Sequence, residues 1–282
     1  MKLTPLLLLV TFGLGIYLGF GSESDQIRHQ SFFSTKEFFD EAYSAADATP
    51  SKEGVKMILV NHHLLAKDLI AEAFNTVSNP PKTVVLISPN HFGVGQFHAL
   101  TSEVNWDTPY GVLRANQGVI HLLEKSGSVQ VDPIPFNYEH GVSGIVPFVK
   151  HSFPRANVVP IIIKEKMKPD EAEKLLSVLS EVIPDNSLIV WSVDMSHYMD
   201  EATSLAKDNI TIAALENNDA DELLNAEVDS PIGLYMTARW AEIMNLNFNL
   251  LARSSAAIIT GNDEASDNTS YITGYWSVNS DD

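Results

Sequence analysis

The sequence contains no cysteine. That excludes disulfides, zinc–thiolate sites, iron–sulfur clusters and thiol nucleophiles together. A metal site must therefore use imidazole, carboxylate or backbone oxygen, and a nucleophile must be oxygen or nitrogen. Basic residues are scarce: 18 Lys and Arg stand against 36 Asp and Glu in 282 residues, a formal charge of −18. A surface that negative repels phosphate backbones, which excludes nucleic acid as a main partner, and it concentrates cations. Also missing are a glycine-rich phosphate loop, a His-Glu-x-x-His pair and a nucleophile elbow. What remains is an apolar fraction of 45% with 19% charged residues, a globular composition long enough for a large core.

The N-terminus departs from this mixture. Leu3 to Ser22 carry no charge, and Leu6 to Val10 read LLLLV between Lys2 and the acids Glu23 and Asp25. Residues 1–21 are predicted to be a signal peptide or a membrane anchor. The body would then be extracytoplasmic, either secreted or held at the membrane by N-terminal contact. Gly13, Gly15, Gly19 and Gly21 favour cleavage, and the length of the uncharged run favours an anchor. Residues 22–54, with Phe32, Phe33, Phe38 and Phe39, read as a tether followed by a docking segment. Residues 55–282 read as one domain without repeats.

In that domain apolar strand-like runs alternate with helical stretches. Lys56-MILV-Asn61, Thr83-VVLIS-Pro89, Val158-VPIII-Lys164 and Ser187-LIVWSV-Asp194 are strand candidates. Helices are expected over 64–77, 117–125, 142–153 (interrupted by Pro147), 169–182, 202–216 and 231–244, and closing strands over 256–261 and 271–278. Alternation of this kind predicts a three-layer α/β/α sandwich with a mainly parallel or mixed central sheet, buried on both faces.

Three of these strands each end on a histidine. MILV runs into Asn61-His62-His63, VVLIS into Asn90-His91, and LIVWSV into Asp194-Met195-Ser196-His197. Open α/β sheets bind ligands just beyond their carboxyl ends, so His62, His91 and His197 are predicted to share one cleft, where a small molecule or peptide would bind. A fourth group is Glu139-His140-Gly141. A lone histidine at a strand end is ordinarily just a hydrogen-bonded residue; three at the same edge suggest a site. Histidines with a carboxylate suit non-haem Fe(II), and equally a catalytic Zn²⁺. Asp194 would orient a ligand histidine or hold the turn.

In this order, these residues resemble the Memo family, called AmmeMemoRadiSam system protein B in prokaryotes, which is similar in fold to the class III extradiol (LigB-type) dioxygenases. The elements that carry the resemblance are Asn61-His62-His63-Leu64, Ser88-Pro89-Asn90-His91, Trp106-Asp107-Thr108-Pro109, Glu139-His140-Gly141, Ser192-Val193-Asp194-Met195-Ser196-His197, Pro231-Ile232-Gly233 and Tyr271-Ile272-Thr273-Gly274-Tyr275. The first motif departs from the family pattern by losing Pro and Gly and gaining His63. A family cysteine, four residues before Pro-Ile-Gly, is replaced by Glu227.

The resemblance implies a metal on His62, His91 and Glu227, with Fe(II) favoured and Zn or Cu as alternatives. It implies His197 as general acid/base held by Asp194, and His140 as donor to an anionic intermediate. The expected function is a metal-dependent, dioxygenase-like redox protein. A zinc hydrolase in the same cleft and a non-catalytic binding module are the alternatives.

Overall fold

A computed structural model of the chain describes residues 27–46, 49–262 and 268–278. The described part opens with β1 (His29–Gln30), α1 (Lys36–Ala45), β2 (Val55–Val60), α2 (Lys67–Asn75), β3 (Thr83–Pro89) and β4 (Ala99–Thr101). It continues with β5 (Trp106–Thr108), β6 (Gly111–Ala115), α3 (Gln117–Ser126), β7 (Gln130–Val131), α4 (His140–Ser143), α5 (Val146–Ser152) and β8 (Asn157–Ile163). The last part holds α6 (Pro169–Val182), β9 (Ser187–Ser192), β10 (His197–Met199), α7 (Glu201–Glu216), α8 (Ala220–Leu224), α9 (Pro231–Met244), β11 (Leu246–Ser255), α10 (Ala256–Thr260) and β12 (Asn268–Val278).

The central strands run β6-β8-β3-β9-β2-β12. β8, β3, β9 and β2 are mutually parallel, while β12 is antiparallel to β2 and to β11. Alternate residues of each parallel strand enter opposite layers, because successive side chains leave a strand on opposite faces. Met57, Leu59, Val85, Ile87, Ile189 and Trp191 pack with α3, α6 and α9. Ile58, Val60, Val84, Leu86, Leu188 and Val190 pack with α1, α2 and α5. Apolar burial on both faces is why these strands read as unbroken apolar runs. The expected α/β/α sandwich with a mixed sheet is what the chain forms.

Three local expectations change. Pro147 does not interrupt one helix. It sits in the first turn of α5, where its missing N–H costs nothing, and a break at Gly144-Ile145 separates α4 from α5. Ala256 to Thr260 is a short helix rather than a strand: the Ser255 side chain caps the Ile258 amide, and Gly261 closes it at φ 66°. β11 is an additional strand, pairing along its length with β12.

The first described residues, from Ile27 on, are built into the same body. β1 pairs with β5, His29 opposite Trp106. The buried His29 ring meets Asn137 Oδ1 at 2.9 Å and Ser102 Oγ at 2.8 Å. Phe39 of α1 is fully buried beside Phe148. The expectation of membrane anchoring is corrected: among the described residues no helix is long and apolar enough to cross a membrane. Residues 1–21, on which the signal-peptide and anchor reading fell, lie outside the described residues.

Candidate metal centre

β3, β9 and β2 are adjacent and parallel, so their carboxyl ends open onto one place. There the chain delivers His91 after β3, Asp194 after β9, and His62 after β2. Glu139 and His140 arrive at the start of α4, and Asp229 from the loop before α9.

Each ligand-type imidazole is oriented through Nδ1. His62 Nδ1 lies 3.0 Å from Ser192 Oγ, and that hydroxyl donates to the Gly141 carbonyl at 2.8 Å. Ser192 can therefore only accept from His62, so Nδ1 carries the proton and Nε2 is the atom left for chemistry. His91 Nδ1 lies 2.6 Å from Glu139 Oε1, while Glu139 Oε2 accepts from the His91 amide at 2.9 Å. Glu139 is buried and is also held by the Gly141 amide at 2.9 Å. Both free Nε2 atoms face one carboxylate: Asp229 Oδ2 is 3.1 Å from His62 and 3.5 Å from His91. Asp229 Oδ1 is buried without a hydrogen-bond partner among the described residues.

The electrostatics follow from this geometry. Burial opposes charge on His62, but Asp194 and Asp229 outweigh it and raise its pKa. Burial also opposes charge on His91, yet its hydrogen bonds to Asp229 and Glu139 push it up to about 10. Asp229, despite burial, is drawn down to about 2 by His62 and His91. His140 goes the other way. Burial, then the charges of His91 and His62, push it down to about 4, so it stays a neutral N–H donor. Its ring stacks on His91 at 4.1 Å.

A divalent cation between these imidazoles and the Asp229 carboxylate would take the place that protons fill in its absence. Ligand atoms of His62, His91 and His140 lie within 4.8 Å of one another, as do those of His62, Asp194 and Asp229. Two Nε2 atoms with second hydrogen bonds at Nδ1, and a carboxylate with an orphaned buried oxygen, are a donor set that fits a divalent metal.

The sequence-predicted residues are only partly brought together. His62, His91, His140 and Asp194 meet. Glu227 does not: it is exposed and enters neither group, and the carboxylate at the imidazoles is that of Asp229. Asp194 does not hold His197. Its Oδ1 accepts from the amides of His62 at 2.8 Å and His63 at 3.3 Å, fixing the turn after β2. His197 starts β10, against the β12 edge, and lines the neighbouring cavity instead of joining the cluster. That cavity, of about 570 Å³, has His62, His140 and Asp194 at its polar end and Phe32, Phe33 and Leu65 along its wall.

Ser192 and Glu139 were not singled out from sequence for the roles they hold. The signals were a serine inside an apolar strand and an acid immediately before His140.

A sandwich whose parallel strands converge on oriented imidazoles and a buried carboxylate defines a class: mixed α/β proteins with a cluster able to hold a divalent metal. The chain belongs to the Memo family, whose model, described as Memo-like protein, matches residues 33–239. It is similar to a MEMO1 family protein of Thermotoga maritima, 30% identical over 204 residues that span 70% of this chain and 71% of the relative. It is also similar to one of Aquifex aeolicus, 32% identical over 174 residues, or 60% of this chain and 64% of the relative.

Proposed function

We propose that this Memo-family protein is a non-haem metal-dependent redox protein, with Fe(II) held by His62, His91 and Asp229. The supporting observation is the pairing at Nδ1: Ser192 and Glu139 occupy that atom of each ring, so both Nε2 atoms are turned toward the Asp229 carboxylate. Iron bound to two imidazoles and one carboxylate supplies redox chemistry with open coordination positions. The chain's own groups do the rest. His140 offers a neutral N–H beside the cluster, His197 can move a proton at the cavity wall, and the phenylalanine wall limits water.

Anaerobic purification with elemental analysis tests the reading. About one iron per wild-type chain is expected, with a ferric signal appearing on exposure to oxygen. Stoichiometric zinc with activity retained under anaerobic conditions would favour a hydrolase. No retained metal at all would leave a binding module.

A further inference from the structure

We propose that the cavity beside the cluster binds a one- or two-ring aromatic molecule carrying a single oxygen acceptor, with Phe32 and Phe33 as its wall and His63 as its donor. This ligand class deepens the redox reading, on which it rests for chemistry but not for binding. The cavity's volume, about 570 Å³, suits a small organic molecule.

The wall is preformed. Phe33 stacks on Phe38 at 4.6 Å and 6°, and Phe32 meets Phe33 edge-on at 5.5 Å. The Phe32 amide donates to the Ser143 carbonyl at 2.9 Å, which ties this wall to α4 beside His140. Yet Phe32 remains 60% exposed and Phe33 39%. Apolar ring surface held rigid and left open is what a flat ring covers.

His63 supplies the polar contact. Its Nδ1 lies 2.6 Å from the hydroxyl of the buried Tyr271. That is the hydroxyl's only hydrogen bond among the described residues, so Tyr271 donates; accepting would leave its own proton unpaired. The imidazole proton then sits on Nε2, the ring edge not held by Tyr271. His63 is exposed and lines the cavity, so it presents an N–H, which selects an oxygen acceptor. Glu139, Asp194 and Asp229 set three carboxylates against His62 and His91 nearby. That excess of acid opposes a dianionic head such as a phosphate.

Fluorescence titration of the full chain with 2-naphthol, naphthalene and 2-naphthyl phosphate tests the site on metal-free protein. The Phe32→Ser/Phe33→Ser double variant should weaken 2-naphthol by about tenfold or more. Phe32→Ser alone, at an exposed ring, should give a smaller loss and serves if the double variant does not fold. His63→Leu and Tyr271→Phe should weaken 2-naphthol about five- to tenfold, one hydrogen bond's worth, and leave naphthalene within about twofold. Wild type should bind 2-naphthyl phosphate about tenfold more weakly than 2-naphthol.

Unchanged 2-naphthol affinity in the phenylalanine variants overturns the proposal. So does equal loss of both uncharged probes in the His63 and Tyr271 variants, or tighter binding of the phosphate. Iron content separates the two readings. Probe binding by a protein that also comes through anaerobic purification without iron upholds the ligand class and removes the redox reading. Iron retained without probe binding removes the ligand class alone.

Discussion

Asp194 and Asp229 hold each other across the carboxyl edge of the sheet. The Asp194 amide donates to Asp229 Oδ2 at 3.2 Å, and the Asp229 amide donates to the Asp194 carbonyl at 3.2 Å. Asp194 follows β9, while Asp229 comes from the loop ahead of α9. The reciprocal pair locks a carboxylate from a remote loop against the imidazoles. The Asp194 side chain meanwhile pins the turn after β2 through the amides of His62 and His63.

For the proposed metal site, this arrangement puts Asp229 rather than Glu227 beside the imidazoles. Asp229→Ala should reduce bound metal by at least about 100-fold in affinity, more than the loss typical of a residue that only orients a ligand. Glu227→Ala should leave it unchanged, because Glu227 is exposed and outside both ligand groups. Metal titration of the two variants checks this. Loss in Glu227→Ala with retention in Asp229→Ala would reverse the assignment.

Glu139→Gln removes the charge that supports His91 while keeping the shape. The variant should bind metal about 10–100-fold more weakly, as for other partners that orient a ligand histidine. The His91 pKa should fall from its raised position, because Glu139 supplies both a hydrogen bond and a charge to it. Metal affinity and NMR titration of His91 read the two effects separately.

How much of this was legible in the sequence depends on burial. β2, β3, β8 and β9 stand out because both faces are buried, so each reads as a continuous apolar run. The edge pair is different: β11 mixes Asn247, Asn249 and Arg253 with half-buried positions, and no run or clean alternation marks it. Ala256 to Thr260 is apolar but only five residues long, and a run that short carries no period; its Ser255 cap and Gly261 stop were the better signal. His62, His91 and Asp194 were legible because they end buried strands. Asp229 was not, because the resemblance placed the family's cysteine position, four residues before Pro231, on Glu227. Only the backbone pairing of Asp229 with Asp194 shows which acid turns inward.

The same charges set the pH response of the metal-free protein. The folded-state pKa of His91 is raised from 6.5 to about 10, so its contribution is full below pH 6.5 and is lost as pH rises through about 10. The folded-state pKa of Asp229 is lowered from 3.8 to about 2, so its contribution is full above pH 3.8 and is lost as pH falls through about 2. Their combined contribution should form a plateau between those ordinary values, with melting temperature declining on the alkaline side. Saturating divalent metal should displace the imidazole protons and stabilise more strongly as pH rises. Thermal melts across pH, with and without metal, check this. A metal-free melting temperature that climbs from pH 6.5 to 10 would contradict it.

Gly141 is the most tightly enclosed glycine at the site. A Cβ there would sit 2.0 Å from Ser88 Oγ and 3.3 Å from both Ser88 Cβ and Glu139 Oε1. Its amide also holds Glu139, and its carbonyl receives the Ser192 hydroxyl that orients His62. Gly141→Ala should therefore do two things at once. Overpacking should destabilise the fold by about 1–3 kcal/mol, and the displaced Glu139 and Ser192 should weaken metal binding. Adding Ser88→Ala removes the closest contact but leaves the Cβ at 3.3 Å, so it should restore part of the stability. A double-mutant cycle should then show a favourable coupling between the two positions of about 0.5–3 kcal/mol. Denaturant unfolding of the four proteins measures the coupling. Strict additivity of the two substitutions would mean that the close approach of Gly141 to Ser88 does not hold this corner of the site in place.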